Sequence, residues 1–326
     1  MRNKCKWMIV GGAGYIGSHV VLELCENGYD ITVFDDLSTG HLLNIDSRAE
    51  FIQGNILNND DLENVFNGKF EAVFHFAALK SAGESMLEPG KYATSNITGT
   101  INILNQMVKN NIKHFIFSST AAVYGMPEYL PVDENHPINP INFYGHTKLA
   151  IENLLHWYSK LKGIRFGALR YFNAAGYDMK GRIKGLEKNP ANLLPIVMET
   201  ANGKRDFMNI YGDDYNTPDG TGIRDYIHVN DLATAHVRAM NYIVEKQENL
   251  TLNLATGKGY SVLDVIKNIQ EIIGKNIKYK IIDRRPGDPA ELIAVSNLAN
   301  EKLNWECKYS DINAILQSMW NVYSNH

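Results

Sequence analysis

Cysteine is scarce in this chain of 326 residues, which has only Cys5, Cys25 and Cys307. The three are far apart and form no Cys-x-x-Cys motif, so the sequence predicts neither a disulfide framework nor a zinc site. We interpret them as small apolar side chains in a reducing compartment.

Long apolar runs and an excess of positive charge are also missing. No apolar stretch approaches the roughly 18 residues that can span a bilayer, and a strand predicted from about Trp7 leaves no space for a signal peptide. Asp and Glu number 36 against 32 Lys and Arg, for a net charge of -4. We therefore expect a cytoplasmic protein that binds neither membranes nor nucleic acid.

The sequence does contain a glycine-rich turn directly after an apolar strand. The segment 11–17 is Gly-Gly-Ala-Gly-Tyr-Ile-Gly. Gly11 would let the chain turn sharply, Gly14 would let the backbone approach phosphates, and Gly17 would let the following helix pack closely on the sheet. A tight turn without a ligand is the alternative for glycines alone. With the surrounding pattern, the spacing predicts a diphosphate at a helix N-terminus.

An acidic pair follows the second predicted strand, 31–34. Asp35 and Asp36 lie about 20 residues beyond the glycines, where a carboxylate can bind the hydroxyls of an adenosine ribose. No arginine follows closely, so a 2'-phosphate would meet a carboxylate. The sequence therefore favours NAD over NADP.

Short β-rich runs alternate with helical stretches from residue 51 to 172. This alternation predicts an α/β fold, a Rossmann-like doubly wound parallel sheet covered on both faces, with ligands at the carboxyl ends of the strands. We predict a NAD-binding domain over 1–175, to which a strand and helix return around 225–255. A smaller C-terminal α/β substrate domain over 176–326 would end in an amphipathic helix at 311–323. The other predicted helices are 15–27, 60–66, 89–110 and 143–161.

Candidate catalytic groups follow the strand near 114–117 and begin the helix near 143. Ser118, Ser119 and Thr120 supply three hydroxyls, for which turn or cap hydrogen bonding is the alternative. Tyr144 and Lys148 share a helix face, and a nearby cation favours an ionised phenol. The pair can therefore supply a base near neutral pH.

The same Tyr-x-x-x-Lys spacing occurs at Tyr158/Lys162 and Tyr242/Lys246. Spacing cannot choose among the three pairs, but position can. Tyr144 begins its helix after a proline-rich loop, where it would face the carboxyl edge of the sheet. We interpret the other two pairs as packing residues with solvated charges.

Together these motifs resemble the extended short-chain dehydrogenase/reductase family, and within it the enzymes that interconvert UDP-glucose and UDP-galactose. The match covers nearly the whole chain. Besides the glycine turn and the Tyr144/Lys148 pair, it is carried by the segments 75–80, 83–85, 117–125, 169–173, 192–195, 219–229, 253–254 and 284–288.

The resemblance implies reversible C4 epimerisation through a transient 4-keto sugar, with a tightly bound NAD and no net oxidation. Thr120 would hydrogen-bond the sugar 4-oxygen and Tyr144 would take its proton. Lys148 would bind the nicotinamide ribose and lower the pKa of Tyr144. The 4-keto sugar would turn over in the site, and hydride would return to its opposite face.

The resemblance also implies two sets of binding residues. The residues implied for NAD are Gly11, Gly14, Tyr15, Ile16, Gly17, Asp35, Asp36, Leu37, Ser38, Thr39, Asn55, Ile56, Phe76, Ala77, Ala78, Lys80, Ser95, Tyr144, Lys148 and Phe172. Those implied for the UDP-sugar are Lys80, Thr120, Tyr144, Asn173, Asn192, Leu193, Asn209, Ile210, Tyr211, Arg224, Arg285, Asp288 and Leu292.

Within the second set, residues 209–211 would hold the uracil and Asp288 the uridine ribose. Arg224 and Arg285 would bind the diphosphate, because a guanidinium fork matches phosphate oxygens. Without the resemblance, Arg224 beside Asp225 indicates a surface ion pair.

Three departures from the family pattern weaken single contacts. Asn55 replaces the usual aspartate at the adenine, although its amide can still hydrogen-bond the adenine amino group. His146 and Thr147 replace small and basic residues between the catalytic pair, and both would point away from it. Ser95 stands where the family often has asparagine.

The sequence bears on several alternatives to the C4 epimerisation that the resemblance implies. Ala121 and Ala122 occupy the place of the acidic pair that sugar-nucleotide dehydratases need, so dehydration is disfavoured. A 4-epimerase or decarboxylase for UDP-glucuronate, or a UDP-N-acetylhexosamine 4-epimerase, stays open. Leu292 is smaller than the tyrosine that excludes N-acetyl groups in some relatives, so slow entry of such sugars is expected.

An NAD-sensing binding protein would be expected to lose Tyr144 or Lys148, and the sequence keeps both. The resemblance further implies a homodimer that pairs the helices 89–110 and 143–161 of two subunits. Apolar residues on these helices are equally explained as core facing the sheet.

Overall fold

The computed structural model describes residues 6–188, 190–285 and 287–326. The expectation for Cys5 therefore lies outside the described residues, as does Pro286 of the segment 284–288. The strands are β1 (Lys6–Val10), β2 (Asp30–Asp35), β3 (Glu50–Gln53), β4 (Ala72–His75), β5 (His114–Thr120), β6 (Arg165–Tyr171), β7 (Asn173–Ala175), β8 (Met208–Tyr211), β9 (Ile223–His228), β10 (Leu250–Leu254), β11 (Gly259–Ser261), β12 (Tyr279–Ile282) and β13 (Glu291–Leu292).

Helices alternate with these strands through most of the chain. They are α1 (Tyr15–Glu26), α2 (Asn59–Phe66), α3 (Ala82–Leu87), α4 (Pro89–Tyr92), α5 (Gly99–Lys109), α6 (Phe143–Lys162), α7 (Leu193–Ala201), α8 (Val229–Lys246), α9 (Val262–Ile273), α10 (Asn297–Leu303) and α11 (Ile312–Tyr323). Short 3-10 helices cover Leu42–Asn44 and Ala121–Val123, and a π-helix covers Ala93–Thr98.

Seven strands form one parallel sheet in the order β10-β6-β5-β4-β1-β2-β3. The chain runs outward from β1 in one direction to β2 and β3, and then in the other direction to β4, β5 and β6. The reversal leaves a crevice beyond the carboxyl ends of β1 and β4, which is where open α/β sheets bind ligands. The predicted Rossmann-like sheet is confirmed.

Both faces of this sheet are buried, because the side chains of each strand alternate between two apolar layers. Along β1, Trp7 and Ile9 join the cluster formed with α1 and α8, whereas Met8 and Val10 join the cluster formed with α2, α5 and α6. Helix α6 lies in the second layer with its first residues at the carboxyl edge. Tyr144 is therefore held near the end of β5.

The structure interrupts the helix predicted at 89–110. Helix α4 continues into the π-helix Ala93–Thr98 and only then into α5. A π-turn accommodates an extra residue within a helix, and such turns are often found beside functional sites. Hydrophobic spacing does not reveal this local change of register.

A second group of elements packs around its own apolar cluster. Strands β7, β9, β11 and β13 form a small sheet, β8 pairs with β12, and α7, α9 and α11 supply much of the third core cluster. Strand β10 joins the large sheet and α8 packs against α1, so the chain returns to the first group at 229–254. The proposed domain boundary near residue 175 stays a prediction.

The two cysteines within the described residues are free thiols. Cys25 is buried and Cys307 is half-buried. Burial raises the pKa of the Cys25 thiol to about 11, so it is not a reactive thiolate near neutral pH. Among the described helices, none has the length and apolar character needed to cross a membrane.

Candidate active site

The glycine turn makes its tightest contact at Gly11. This residue has φ +82°, and a Cβ added there would lie 2.4 Å from the backbone nitrogen of Ala77. The backbone amides of Phe76 and Ala77 both donate to the carbonyl of Val10, at 2.8 and 3.2 Å. The turns after β1 and β4 therefore touch through backbone atoms, and a side chain at Gly11 would separate them.

Helix α1 begins with an N-terminus that can hold an anion. Gly14 is its N-cap and, among the described residues, no side chain caps the first turn. A Cβ added at Gly14 would approach only the carbonyl of Gly11, at 3.3 Å. The unpaired amides and the helix dipole make this end suitable for a phosphate, so the turn fits the diphosphate of a dinucleotide.

The third glycine has a different neighbour from the one expected. A Cβ added at Gly17 would lie 2.2 Å from the carbonyl oxygen of Gly11 and 3.0 Å from the Cα of Gly12. Gly17 therefore packs on the glycine turn rather than on the sheet. The requirement for glycine is the same, because backbone atoms fill the space that a side chain would need.

Asp35 organises the same turn through its carboxylate. Its two oxygens accept the backbone amides of Ala13 and Leu37, at 3.0 and 2.8 Å. Burial raises the pKa of Asp35, and these two hydrogen bonds oppose the increase. The exposed Asp36 accepts from the Asn55 side-chain amide at 3.2 Å, while the Asn55 side-chain oxygen accepts from the backbone of Leu57 at 2.8 Å. Asn55 thus holds Asp36 as well as lying near the expected adenine position.

The turn at 77–80 is clamped by a residue that sequence reasoning missed. Asn96, in the π-helix, accepts from the amide of Leu79 at 2.9 Å and donates to its carbonyl at 3.0 Å. Its neighbour Ser95, predicted to contact NAD, is half-buried beside it. Lys80 is exposed and pairs with Glu187 at 2.5 Å, so it bridges to the segment before α7.

The remaining residues implied for NAD differ in exposure. Tyr15 donates its hydroxyl to the carbonyl of Gly176, and Ile16 packs against the α1/α8 cluster. Ile56 is buried in the other layer, so only its backbone is open to a ligand. Exposed or half-buried positions near the ends of β2, β4 and β6 are Leu37, Ser38, Thr39, Ala78 and Phe172.

The candidate catalytic groups meet at the carboxyl end of β5. The hydroxyl of Thr120 lies close enough to the phenol of Tyr144 to lower its pKa, and it accepts the amide of Ala122 at 3.2 Å. Lys148 is 2% exposed, and its Nζ donates to the carbonyl of Ser118 at 2.9 Å. The same Nζ lies 5.9 Å from the centre of the Tyr144 ring. The structure therefore brings Thr120, Tyr144 and Lys148 together.

The protonation of this pair is set mainly by burial. Burial raises the pKa of Tyr144 to about 12, opposed by the nearby Thr120 hydroxyl. Burial also lowers the pKa of Lys148 to about 7, opposed by the charge of Glu152. Desolvation is the largest cause of both shifts, and the expectation that Lys148 lowers the pKa of Tyr144 stays a prediction. In this state Tyr144 is a proton donor.

A buried polar network beneath Lys148 was not predicted. Glu152 accepts hydrogen bonds from Ser119 at 2.5 Å and from Arg170 at 2.5 and 3.0 Å. Arg170 also donates to the hydroxyl of Tyr124 at 3.0 Å. The available signal was Arg170 itself, because a charged residue inside a central strand requires a buried partner.

Charged residues implied for the UDP-sugar pair with one another in this structure. Arg224 forms an ion pair with Asp288, whereas Asp225, its neighbour in sequence, is fully buried and accepts from Thr256 at 2.7 Å. The Arg224/Asp225 surface pair is therefore wrong, because adjacent strand residues point to opposite faces. The guanidinium of Arg285 lies 3.7 Å above the centre of the Tyr211 ring.

The other residues implied for the sugar nucleotide fall into two classes. Asn192 and Asn209 are exposed and Leu193 is half-buried, so their side chains remain accessible. Ile210 is 1% exposed within the third core cluster, so the structure leaves neither its side chain nor its backbone open to a ligand. Asn173 donates its amide to the carbonyl of Asp225 at 2.8 Å.

Leu292 packs against a small apolar cluster that includes residues just after β5. It packs with Phe172 against buried residues that include Val123 and Tyr124. The side chain is half-buried. A larger residue at this position would therefore reach toward the space beside Phe172 or displace it.

The two other Tyr-x-x-x-Lys pairs make surface contacts. Tyr158 donates its hydroxyl to Asn105 at 2.7 Å, and Tyr242 donates to Glu248 at 2.8 Å. Lys246 pairs with Glu245 at 2.7 Å. Their interpretation as packing and solvated charge is consistent with these contacts.

Two surface cavities lie away from the predicted site. The first, of about 460 Å³, is lined by residues of α1 and α8 and by the segment 304–309. The second, of about 680 Å³, is lined by the segments 255–258 and 295–297 and by residues of the segment 305–311. Neither lining includes a residue that we predict to bind NAD or a UDP-sugar. The candidate active site is therefore located by its catalytic side chains and by the crevice at the carboxyl edge of the sheet, and not by either cavity.

Comparison with known proteins agrees with this geometry. The model of the NAD dependent epimerase/dehydratase family matches residues 7–255. The UDP-glucose 4-epimerase of Halalkalibacterium halodurans is 43% identical over 98% of this chain and 96% of its own length. The crystal structure of UDP-glucose 4-epimerase from Brucella ovis in complex with NAD has a TM-score of 0.95 at 41% identity, covering 98% of each chain.

A further solved relative has a broader name. The UDP-Glc/GlcNAc 4-epimerase of Campylobacter jejuni has a TM-score of 0.86 at 36% identity, covering 99% of this chain and all of that one. The family match spans the sheet, the glycine turn and the Thr120/Tyr144/Lys148 cluster. The chain belongs to the NAD dependent epimerase/dehydratase family.

Proposed function

We propose that this protein interconverts UDP-glucose and UDP-galactose by reversible epimerisation at C4, using a tightly bound NAD. The observation that carries the proposal is the cluster of Thr120, Tyr144 and Lys148 at the carboxyl edge of a dinucleotide-binding sheet. Ala121 and Ala122 follow Thr120, so no acid-base pair for dehydration stands there. Relatives named UDP-glucose 4-epimerase support the same reaction.

The residues of this chain would hold the cofactor and move one proton. The turn at Gly11–Gly17 and the N-terminus of α1 would bind the diphosphate of NAD, and Asp35 its adenosine ribose. When bound, NAD supplies the acceptor for the C4 hydride and, in its oxidised form, a positive charge. Tyr144 would take the proton of the 4-hydroxyl and later return it, while Thr120 holds the sugar 4-oxygen.

Protonation of the catalytic pair sets a requirement for this role. With the pKa of Tyr144 raised to about 12 by burial, the protein alone leaves the phenol protonated at neutral pH. Positive charge close to Tyr144 stabilises the phenolate and lowers its pKa. The Lys148 ammonium supplies part of this charge when it is protonated. Tyr144 is therefore expected to act as a base in the cofactor-bound protein only.

Purified protein supplied with UDP-galactose and no added NAD gives the decisive assay, with UDP-glucose formation followed by a coupled enzyme. Turnover is expected, because the cofactor is reoxidised in each cycle and need not leave. Tyr144→Phe keeps the ring but removes the acid-base group, and should lower kcat by about 10²- to 10⁴-fold. No turnover by folded protein, even with NAD added, would contradict the proposed reaction. It would favour a UDP-glucuronate or UDP-N-acetylhexosamine relative, with an NAD-sensing binding protein as the next candidate.

We further propose that the protein is a cytoplasmic homodimer paired through the helical segments 89–110 and 143–161. Trp157 and Leu161 lie four residues apart on one face of α6 and are 57% and 65% exposed, and adjacent exposed apolar residues of this kind can mark a contact surface. The free thiols Cys25 and Cys307 suit a reducing compartment. Light scattering should give twice the chain mass for the wild type. A Trp157→Glu variant that stays dimeric would argue against this face.

A further inference from the structure

Three residues of α6, spaced by four, contact the last three residues of β5. The Tyr144 phenol lies beside the Thr120 hydroxyl, which lowers its pKa, and Lys148 donates to the carbonyl of Ser118 at 2.9 Å. One turn further, Glu152 accepts from Ser119 at 2.5 Å. The helix face that carries the catalytic pair therefore ends in a buried carboxylate.

That carboxylate is held by a two-pronged ion pair with Arg170 of β6. The Nη2 to Oε2 distance is 2.5 Å and the Nε to Oε1 distance is 3.0 Å. The Arg170 and Glu152 side chains are only 5% and 4% exposed. Arg170 also donates to the hydroxyl of Tyr124 at 3.0 Å. The Tyr124 hydroxyl in turn donates to Asn253 of β10 at 2.7 Å. The pair thus joins α6 to three neighbouring strands of the sheet.

Stability alone does not account for charges in this position. A buried ion pair can often be replaced by apolar residues of similar volume without loss of stability, because the cost of desolvation offsets the attraction. The position beside Lys148 suggests a different role. Lys148 is 2% exposed, burial lowers its pKa to about 7, and the charge of Glu152 opposes that decrease.

Apart from Arg170, which is charged and paired with Glu152, the other ionisable groups near Lys148 carry little charge at neutral pH. His75 of β4 faces it, and burial, followed by the charge of Lys148, lowers the pKa of His75 to about 3. Tyr171 of β6 is hydrogen-bonded to the Ser118 hydroxyl, and burial raises its pKa, as burial does for Tyr144. Among the described residues, Glu152 is the group whose charge supports the Lys148 cation.

We propose that the buried Glu152–Arg170 ion pair is a positioning unit for the catalytic lysine. It fixes the register of α6 on β5 and β6, and its carboxylate favours the charged form of the Lys148 amine in a site that excludes water. Arg170 holds the carboxylate in place and compensates its charge. The role of Lys148 in catalysis rests on the proposed epimerase reaction. The effect of Glu152 on the charge of Lys148 does not depend on that reaction.

The test is a pH titration of the Lys148 amine in purified holoprotein by ¹⁵N nuclear magnetic resonance. Lysine is labelled at Nζ, and the signal of Lys148 is assigned by its loss in Lys148→Arg. In Glu152→Gln the side chain keeps its shape but loses its charge, and the midpoint should fall by about one pH unit or more. The alkaline limb of the kcat/KM profile should move down by the same amount.

Two further variants separate this role from a structural one. In Glu152→Gln/Arg170→Met no uncompensated charge remains, so the protein should fold even if Glu152→Gln does not. The Lys148 midpoint should still be lowered, but by less than in Glu152→Gln, because loss of the Arg170 cation partly offsets loss of the carboxylate. Glu199→Gln is the matched control. The Glu199 side chain, in α7, is 5% exposed and pairs at 2.5 Å with Arg205, which follows that helix. It should change stability but not the Lys148 midpoint.

An unchanged Lys148 midpoint in a folded Glu152 variant overturns the inference, whatever the activity. The inference is also overturned if Glu199→Gln moves the Lys148 midpoint as far as Glu152→Gln does. If the wild type shows no epimerase turnover while the midpoint shifts as expected, the electrostatic role stands and the proposed function fails. The two hypotheses are therefore tested separately.

Discussion

The cofactor half and the substrate half of this molecule build their candidate sites from different atoms. Around β1, β2 and β4, the geometry is made by backbone: a left-handed Gly11, an uncapped helix start, and amides held by Asp35. In the substrate half it is made by long side chains, such as Arg224 paired with Asp288. Backbone geometry is complete without a ligand, whereas charged side chains first satisfy one another.

This difference has a consequence for binding. A diphosphate on the α1 N-terminus meets amides already in place, so little is reorganised. If a UDP-sugar binds through the predicted residues, it would exchange the contacts that Arg224 makes with Asp288 and Arg285 makes with Tyr211 for contacts with its own phosphates and uridine. We therefore expect single substitutions to be severe in the first half and graded in the second.

Gly11→Ala should give the largest effect among the changes that test this comparison. The added Cβ would lie 2.4 Å from the Ala77 nitrogen at φ +82°, and backbone strain alone costs on the order of 1–3 kcal/mol. Purified variant should contain little NAD, measured by chromatography after denaturation. Gly83→Ala is the control, since a Cβ at Gly83 meets nothing within 4 Å. Equal NAD content in both variants would contradict a backbone-built site.

Arg224→Gln should have an intermediate effect confined to substrate binding. Loss of one charge-assisted hydrogen bond costs about 1.5–3 kcal/mol, which raises KM for UDP-galactose about 10- to 100-fold. Retained NAD should not change. Arg284→Gln serves as control, because Arg284 pairs with the exposed Asp214 at 2.6 Å. Similar KM increases in both variants would show that general surface charge, rather than Arg224, binds the phosphates.

The buried histidines should make the fold sensitive to mild acid. Burial lowers the pKa of His19 and His236 to about 4 and that of His75 and His228 to about 3. Because these folded values lie below the unfolded value of about 6.5, the unfolded state binds more protons as the pH falls from there toward 4, and stability decreases. The free energy of unfolding should drop by about 1 kcal/mol per histidine between pH 6.5 and 5.5. Urea unfolding curves that coincide across this range would contradict the assignment.

Leu292→Tyr is expected to give the smallest change, limited to bulky substrates. Leu292 and Phe172 pack against the same apolar cluster, and a tyrosine at position 292 would reduce the space predicted for the sugar. Activity toward UDP-N-acetylglucosamine should fall about tenfold, whereas activity toward UDP-galactose should change little. Unchanged activity toward the N-acetyl sugar would remove Leu292 from the set of specificity residues.

Sequence patterns predicted the features that depend on local spacing. The parallel sheet, the turn at Gly11 and the start of α6 before Tyr144 follow from hydrophobic periodicity and glycine positions, and all are present. The spacing of Tyr144 and Lys148 correctly placed them on one helix face. Local spacing is sufficient here because neighbouring residues impose these conformations.

Features that depend on distant partners were not predicted. The Glu152–Arg170 pair joins residues 18 positions apart, and the Asn96 clamp acts on Leu79 across 17 positions. The raised pKa of Tyr144 results from burial by several elements, which spacing alone does not measure. The assignment of individual binding residues therefore stays a prediction that substitutions must test.

Deuterium at C4 of the substrate tests the central claim most directly. Purified protein without added NAD would be given UDP-galactose deuterated at C4 in ordinary water, and the UDP-glucose formed would be analysed by mass spectrometry and nuclear magnetic resonance. Hydride transfer to a retained cofactor and back predicts full retention of deuterium at C4 of the product. Loss of deuterium to the solvent would contradict transient oxidation at C4 and the acid-base role assigned to Tyr144.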